Sequence, residues 1–405
     1  MNRALFAGLS GTIAFQNRLD VVANNLANAN TVGYKEGQVT FLDALYQTLR
    51  GGRAGSDLGL GGLNPMQIGS GVSLGSIQVR QTQGSLERTG QPLDSAIEGA
   101  GMFVVSDGVG TFYTRDGALV LDNTNTLVGA TSGYRVQGWM ATEGQVDSTG
   151  PASDLVFQMG QLSPPQPTEN ATVMGNLDAE AADATEIQTT ISVYDSLGEM
   201  HQITVTLTKT DTNEWEAEAT FGADSASTTL TFDANGALTG TESVTLDMTL
   251  TNGATSPLSV TVALGQITQL AQTSSVAISA QDGRPAAALV SVQVSENGLI
   301  DGKFSDGRTL SLAQLALASF PNPGGLRRTG GNLYEEAPAS GPAAIGPAGS
   351  AGRGRIVAGA LEMSNVDLTK AFVDMITTQR GFQASTRVIS AADELLEDVI
   401  RLIRS

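Results

Sequence analysis

The sequence predicts an α+β, mainly β protein in which long N- and C-terminal coiled-coil-like helices enclose two nested all-β domains. Three observations carry this expectation. At the two ends of the chain, apolar residues recur at three- and four-residue steps, the spacing of a helix that packs along another helix. Nearly everything between consists of short alternating runs broken by Gly, Asn and Asp, the pattern of antiparallel sandwich or barrel sheet. Charge is unevenly spread: residues 146–284 hold 18 Asp and Glu against only Lys209 and Arg284, a balance of −16 within a formal total of −19.

From about Arg3 to Ala29, the stripe Leu5, Leu9, Thr12, Leu19, Val22 and Leu26 predicts a helix, weakened near its start by Gly8 and Gly11. A helix of this length is marginal alone in water, so its stripe needs a cover. Residues 30–70 change to NANTVGYK and GGRAGSDLGLGGLNP, turn and loop chemistry that reads as a connector, completed on the return by 355–364. Residues 71–145 with 285–354 read as an inner β domain in two pieces, and 146–284, with its acidic balance, as an inserted outer β domain. A Gly-, Ala- and Pro-rich return, Ala337 to Gly354, leads to the last element. There Leu368, Phe372, Met375, Phe382, Ile389, Ala392, Leu396, Val399 and Ile403 predict a helix of roughly 55 Å, with Ser364 or Asn365 as its cap and Asp367 in its first turn. The terminal core is thus 1–29 with 365–405.

Composition narrows the function. The 405 residues are 40% hydrophobic and only 16% charged, with 48 Gly and no Cys. The absence of Cys removes disulfides, thiolate ligands and a Cys nucleophile together. The negative balance disfavours nucleic acid and anionic membrane as partners. No run of 18 apolar residues occurs, so membrane insertion is not expected, and the start MNRALFAGLSGTIAFQNRLD lacks the continuous apolar region of a cleaved signal peptide.

Catalytic constellations are hard to assemble. The single His, His201, lies in an alternating strand pattern, where packing or surface exposure accounts for it better than catalysis. No Gly-x-Ser-x-Gly elbow precedes a helix. Glu214, Glu216 and Glu218 alternate along one strand and share a face, as a solvated strand face would. The DNTNT at Asp122 to Thr126 lacks the Gly and Glu of a calcium loop and reads as a hairpin turn. Neither cofactor, metal site nor enzymatic activity is expected.

VANNLANANTVGYK (Val22 to Lys35) resembles the N-terminal motif shared by flagellar rod, hook and hook-associated axial proteins, and Ser364 to Leu402 resembles their C-terminal motif. GSLERTGQPLDSAIEGAGMFVV (Gly84 to Val105) and TRDG (Thr114 to Gly117) resemble their inner β domain, and VYDSLGEMHQITVTL (Val193 to Leu207) the outer domain of hook members. The motif positions carried over are Asn24, Asn25, Asn28, Gly33, Tyr34, Lys35, Ser364, Asn365, Val366 and Asp367. The resemblance implies a subunit that polymerises into a curved, flexible tube which transmits torque, its terminal helices lining an axial export channel. Leu5, Leu9, Leu19, Val22, Leu26, Leu368, Phe372, Met375, Phe382, Ile389, Leu396 and Val399 would then serve as subunit-interface positions. It implies as partners further copies of the chain, a distal rod protein, a hook cap, a hook-filament junction protein and the flagellar type III export apparatus. The expected location is the cell exterior, reached with an uncleaved N-terminus. Phe41 to Leu45 resembles the Phe-x-x-x-apolar element read at the export gate, with Phe41 and Leu45 as its two anchors. Its competing explanation is packing of the connector.

Overall fold

A computed structural model describes residues 2–54, 61–142, 144–160 and 162–404. Two helices, α1 (Asn2–Ala27) and α2 (Leu368–Arg404), stand at the ends of the chain, and strands fill the sequence between them. The expected α+β, mainly β class is the observed one. The chain divides into two compact units: residues 1–157 with 292–302 and 310–405, and residues 158–291 with 303–309.

In the first unit, α1 runs into a turn at residues 28–33 and then into two narrow ribbons. β1 (Gly37–Asp43) pairs antiparallel with β4 (Val72–Val79), and β2 (Tyr46–Arg50) with β3 (Met66–Gly69). The Phe41 and Phe15 rings meet edge to face at 5.9 Å, which seats the first ribbon on α1. β5 (Leu86–Arg88) and β6 (Ser95–Glu98) take the returning chain: residues 360–362 pair with β5 and residues 355–358 with β6. Beyond them β7 (Met102–Ser106) and β8 (Thr111–Thr114) form a hairpin within a larger sheet. β7 also pairs with Arg135–Thr142 and Leu317–Ser319, and β8 with Leu333–Glu335. One cluster of this core gathers Met102, Val104, Tyr113, Trp139, Ala318 and Tyr334.

The second unit is a sandwich of two four-stranded sheets. Glu186–Tyr194, Met200–Asp211, Glu214–Phe221 and Asp224–Thr231 form an antiparallel meander. Alternation sets its core: Trp215, Ala217 and Ala219 point inward, while Glu216 and Glu218 face solvent opposite Thr208, Thr206, Thr229 and Ser227. The other sheet is ordered Ser243–Met248, Leu258–Leu270, Asn170–Asp178, Ser275–Gln281. Its central pair, Asn170–Asp178 with Leu258–Leu270, is parallel where antiparallel pairing was expected. A parallel pair needs a long crossover, and the whole meander lies between those two strands in sequence.

Candidate assembly site at the junction of the terminal segments

α1 ends in a lattice of side-chain amides. Asn25 is buried and bonds both backbone groups of one residue: its Nδ2 donates to Gly37 O at 2.7 Å, and its Oδ1 accepts from Gly37 N at 2.8 Å. The same Oδ1 accepts the Tyr34 hydroxyl at 3.0 Å. Asn24 donates to that hydroxyl at 3.3 Å, and Asn28 donates back to Asn24 O at 2.9 Å. Poor helix formers at a helix exit are thus tied in place, Asn24 and Asn25 to the ring and backbone that follow and Asn28 to the last turn behind it. The turn closes at Gly33, whose φ of +70° and whose distance of 2.7 Å from a built Cβ to Asp116 N leave room for glycine alone.

Next to it lies a buried charge cluster. Lys35 Nζ donates to Glu362 Oε1 at 2.6 Å, and Arg115 Nη1 donates to Glu362 Oε2 at 3.1 Å. Gly84 N donates to the same Oε1 at 2.9 Å, and Gly33 N donates to Glu362 O at 2.8 Å. Lys35 and Glu362 have no solvent exposure. One carboxylate therefore joins the N-terminal motif, the TRDG turn and the strand leading into α2. Two further donors find carbonyls, Lys35 Nζ reaching Thr82 O at 2.9 Å and Arg115 Nη2 reaching Gly99 O at 2.8 Å, while Arg115 Nε is buried without a hydrogen-bond partner among the described residues. Burial pushes the Lys35 ammonium below its ordinary range; Glu362 opposes this and Arg115 adds to it. Burial likewise lowers Arg115 against the pull of Glu362. Arg328 stacks over Tyr34 at 5.1 Å and donates to Lys35 O, and Asn332 donates to Val32 O at 2.8 Å.

The C-terminal motif docks on the same place. Asn365 Oδ1 accepts from Glu36 N at 2.7 Å while its Nδ2 donates to Arg80 O at 2.9 Å and Thr82 O at 3.0 Å. This corrects the capping expectation for α2. Asn365 bridges the connector and Ser364 Oγ bonds Val366 N, whereas Asp367 accepts from Lys370 N at 3.1 Å and so caps the helix.

Along the helices the contact is closer than an apolar seam would require. A Cβ on Gly8 would lie 2.9 Å from Ile389 Cγ1, one on Gly11 2.9 Å from Ser385 Oγ, and one on Gly381 2.6 Å from the Phe15 ring. Glycines read as weak points of α1 are where α2 approaches. Arg18 and Asp374 pair across the two helices at 3.2 Å. Of the interface positions, Val22 is buried; Leu5, Leu19, Leu26, Met375, Phe382, Ile389, Leu396 and Val399 are half-buried; and Leu9, Leu368 and Phe372 are exposed. Ala392 is buried and the Ile403 side chain lies outside the described residues. Phe6, Ile13, Val373 and Ile376 add to an exposed apolar face that the chain does not cover itself. In the export-element candidate, Phe41 packs on Phe15 while Leu45 is exposed.

Sequence reasoning missed Glu362, Arg115 and the helix glycines as parts of this site. The available signal was Lys35 at the end of a long uncharged run, which if buried needs an acid other than its neighbour Glu36, whose side chain leaves an extended backbone on the opposite face.

In the second unit, Asp195, Glu199 and His201 are the group of possible metal ligands among the described residues, within 4.8 Å of one another. Asn252 Nδ2 sits between the two carboxylates, 2.6 Å from each, and His201 Nε2 lies 2.9 Å from Asp195 Oδ2. Burial alone would raise the Asp195 carboxyl, but the bonds from His201, Asn252 and the Glu199 and Leu197 amides outweigh it and hold it at about 2. These contacts tie the turn at residues 195–199 to the loop at 252–256, a structural clamp.

Four domain families match along the chain. They are described as flagella basal body rod protein (residues 5–35), flagellar hook protein FlgE/F/G D1 domain (96–200), flagellar basal body protein FlaE D2 domain (162–284) and flagellar basal body rod FlgEFG protein C-terminal (357–402). The flagellar hook protein of Treponema pallidum is 36% identical over 100% of both chains. That of Salmonella typhimurium is 32% identical over 97% of this chain and 98% of its own. A flagellar basal-body rod protein of Bacillus subtilis is 30% identical over 100% of both. A solved Helicobacter pylori flagellar hook protein shares the fold at a TM-score of 0.52 and 16% identity, over 67% of this chain and 98% of its own. Terminal motifs joined in one junction, an inserted sandwich and full-length identity above 30% agree: the chain belongs to the flagellar hook protein family.

Proposed function

We propose that this chain is a structural subunit that self-assembles into the curved, flexible flagellar hook, coupling rod to filament and transmitting torque. The observation that carries the reading is the exposed apolar face of the paired terminal helices, with Phe6 at 64% and Phe372 at 50% exposure, held by a rigid buried junction. Such a face needs a cover, and further copies of the chain are the simplest one. In the tube, α1 and α2 line the central channel, and the remaining domains (71–145 with 285–354, and 146–284) form outer layers on the connector formed by 30–70 and 355–364. Polar outer contacts suit layers that slide as the tube bends, since a large apolar interface would fix one geometry.

The chain meets the distal rod protein, the hook cap and the hook-filament junction protein at its ends, and leaves the cell through the flagellar type III apparatus without loss of its N-terminus. Phe41 and Leu45 are the proposed gate element; undiminished secretion after deleting 41–45 would remove that role. A rod subunit is the neighbouring alternative, and the match of residues 162–284 to the FlaE D2 domain favours the hook. The test compares the intact chain with Phe6→Asp plus Phe372→Asp by sedimentation and negative-stain electron microscopy. Tubes from the first and folded monomers from the second are expected; tubes from both would overturn the reading.

A further inference from the structure

The β7–β8 hairpin carries a knob at one end and a hole at the other. Its turn is stiff: Asp107 Oδ1 accepts from Val109 N at 2.9 Å and Gly110 N at 2.7 Å, and Ser106 Oγ bridges Gly108 N at 3.0 Å and Gly110 O at 2.9 Å. That turn holds Val109 at 98% exposure, the most exposed large apolar side chain among the described residues. A single exposed valine needs no explanation by itself. The open end of the same hairpin, marked by the Phe103–Thr114 pair, supplies its complement. There a cavity of about 310 Å³ is lined by Ala100, Met102, Arg115, Ala318, Phe320 and Pro323 among others.

The geometry points to an end-to-end contact in which the Val109 tip of one copy enters this cavity in the next copy. At the rise of an extended strand, knob and hole lie roughly 20 Å apart, so a chain cannot fill its own hole. A contact between two different patches of one molecule leaves a free knob and a free hole at the ends of every pair, so it propagates from copy to copy, as a filament wherever its rotation does not close a ring. Charge agrees: Asp107 stands two residues before the knob, while Arg115 is the charged residue in the lining of the hole, and the buried cluster behind it holds two cations, Arg115 and Lys35, against the single Glu362. The inference rests on the self-assembly reading and names a contact within it that the terminal helices do not make.

The test uses full-length chains: wild type, Val109→Arg, Val109→Leu, and Ala100→Trp, which fills the hole from an exposed position. Val109→Arg and Ala100→Trp should each raise the critical concentration for tube formation about tenfold, with unfolding midpoints unchanged, and Val109→Leu should assemble like wild type. Because the chain has no Cys, the pair Val109→Cys and Ala100→Cys gives a clean second readout. Mild oxidation of its tubes should give a ladder of covalently joined copies that neither single variant gives. Wild-type tubes alongside equal yields from Val109→Arg and Ala100→Trp, or no ladder from the pair, would remove the contact alone. A wild-type chain that stays monomeric would remove the assembly reading and the contact with it.

Discussion

Replacing Glu362 with Gln keeps the shape of the side chain and removes its charge. The carboxylate accepts from Lys35 at 2.6 Å, Gly84 N at 2.9 Å and Arg115 at 3.1 Å, without solvent exposure. A hydrogen bond to a charged group contributes about 1.5–3 kcal/mol, and breaking a buried pair so that its partner charge is left alone costs about 3–5 kcal/mol. Here two cations are left at once, so a loss at the upper end of that range is expected. Lys35→Met should cost less, under about 2 kcal/mol, because Arg115 still pairs with Glu362 and a disfavoured buried ammonium disappears. Trp139 in the first unit and Trp215 in the second allow each unit to be followed separately in urea, using Trp215→Phe and Trp139→Phe backgrounds. Glu362→Gln should lower the first transition and leave the second unchanged. A shift of under about 1 kcal/mol, or a Lys35→Met loss as large as that of Glu362→Gln, would mean that Glu362 does not hold the two cations together.

Other consequences follow from single contacts. Gly8→Leu, set against Ile389 and Ser385, should push the terminal helices apart, lowering helix content by circular dichroism and abolishing tubes, while solvent-facing Phe6→Ala leaves helix content near wild type. Asp195 is depressed in the folded chain, so its contribution is full above the unfolded carboxyl range near 3.8 and is lost as pH falls through about 2. Acid should therefore lower the Trp215 transition of wild type more steeply than that of Asp195→Asn, measured by urea titration. Lys35 is depressed as well, so between its folded value and 10.5 the unfolded chain holds more protons and the first unit gains stability as pH rises. That gain should vanish in Lys35→Met.

The periodicity of the ends and the alternation of the middle were enough to read the two helices and the sheet between them, because burial of one face sets both patterns; alternation left sandwich and barrel undivided. The junction was only half legible. Asn25 and Lys35 stood in a readable motif, but Glu362 lies 327 residues away from Lys35 and local spacing carries no record of that pairing. Gly8, Gly11 and Gly381 were opaque for a different reason: helix propensity counts a missing side chain as a weakness, whereas two helices in close contact use it as space. The polar inward residues Thr378 and Asp374 also hid the true seam of α2. The parallel pair in the sandwich was invisible because alternation reports which face is buried and not strand direction.

In the proposed hook the junction presents the terminal helices to further copies of the chain. A helical reconstruction of tubes grown from the intact chain tests it most directly. Expected are α1 and α2 innermost around a channel, Phe6 and Phe372 covered by neighbouring copies, and the contacts of Lys35 and Arg115 with Glu362 intact within each copy. Tubes with α1 and α2 on the outer surface, or with Phe6 and Phe372 still in water, would contradict it.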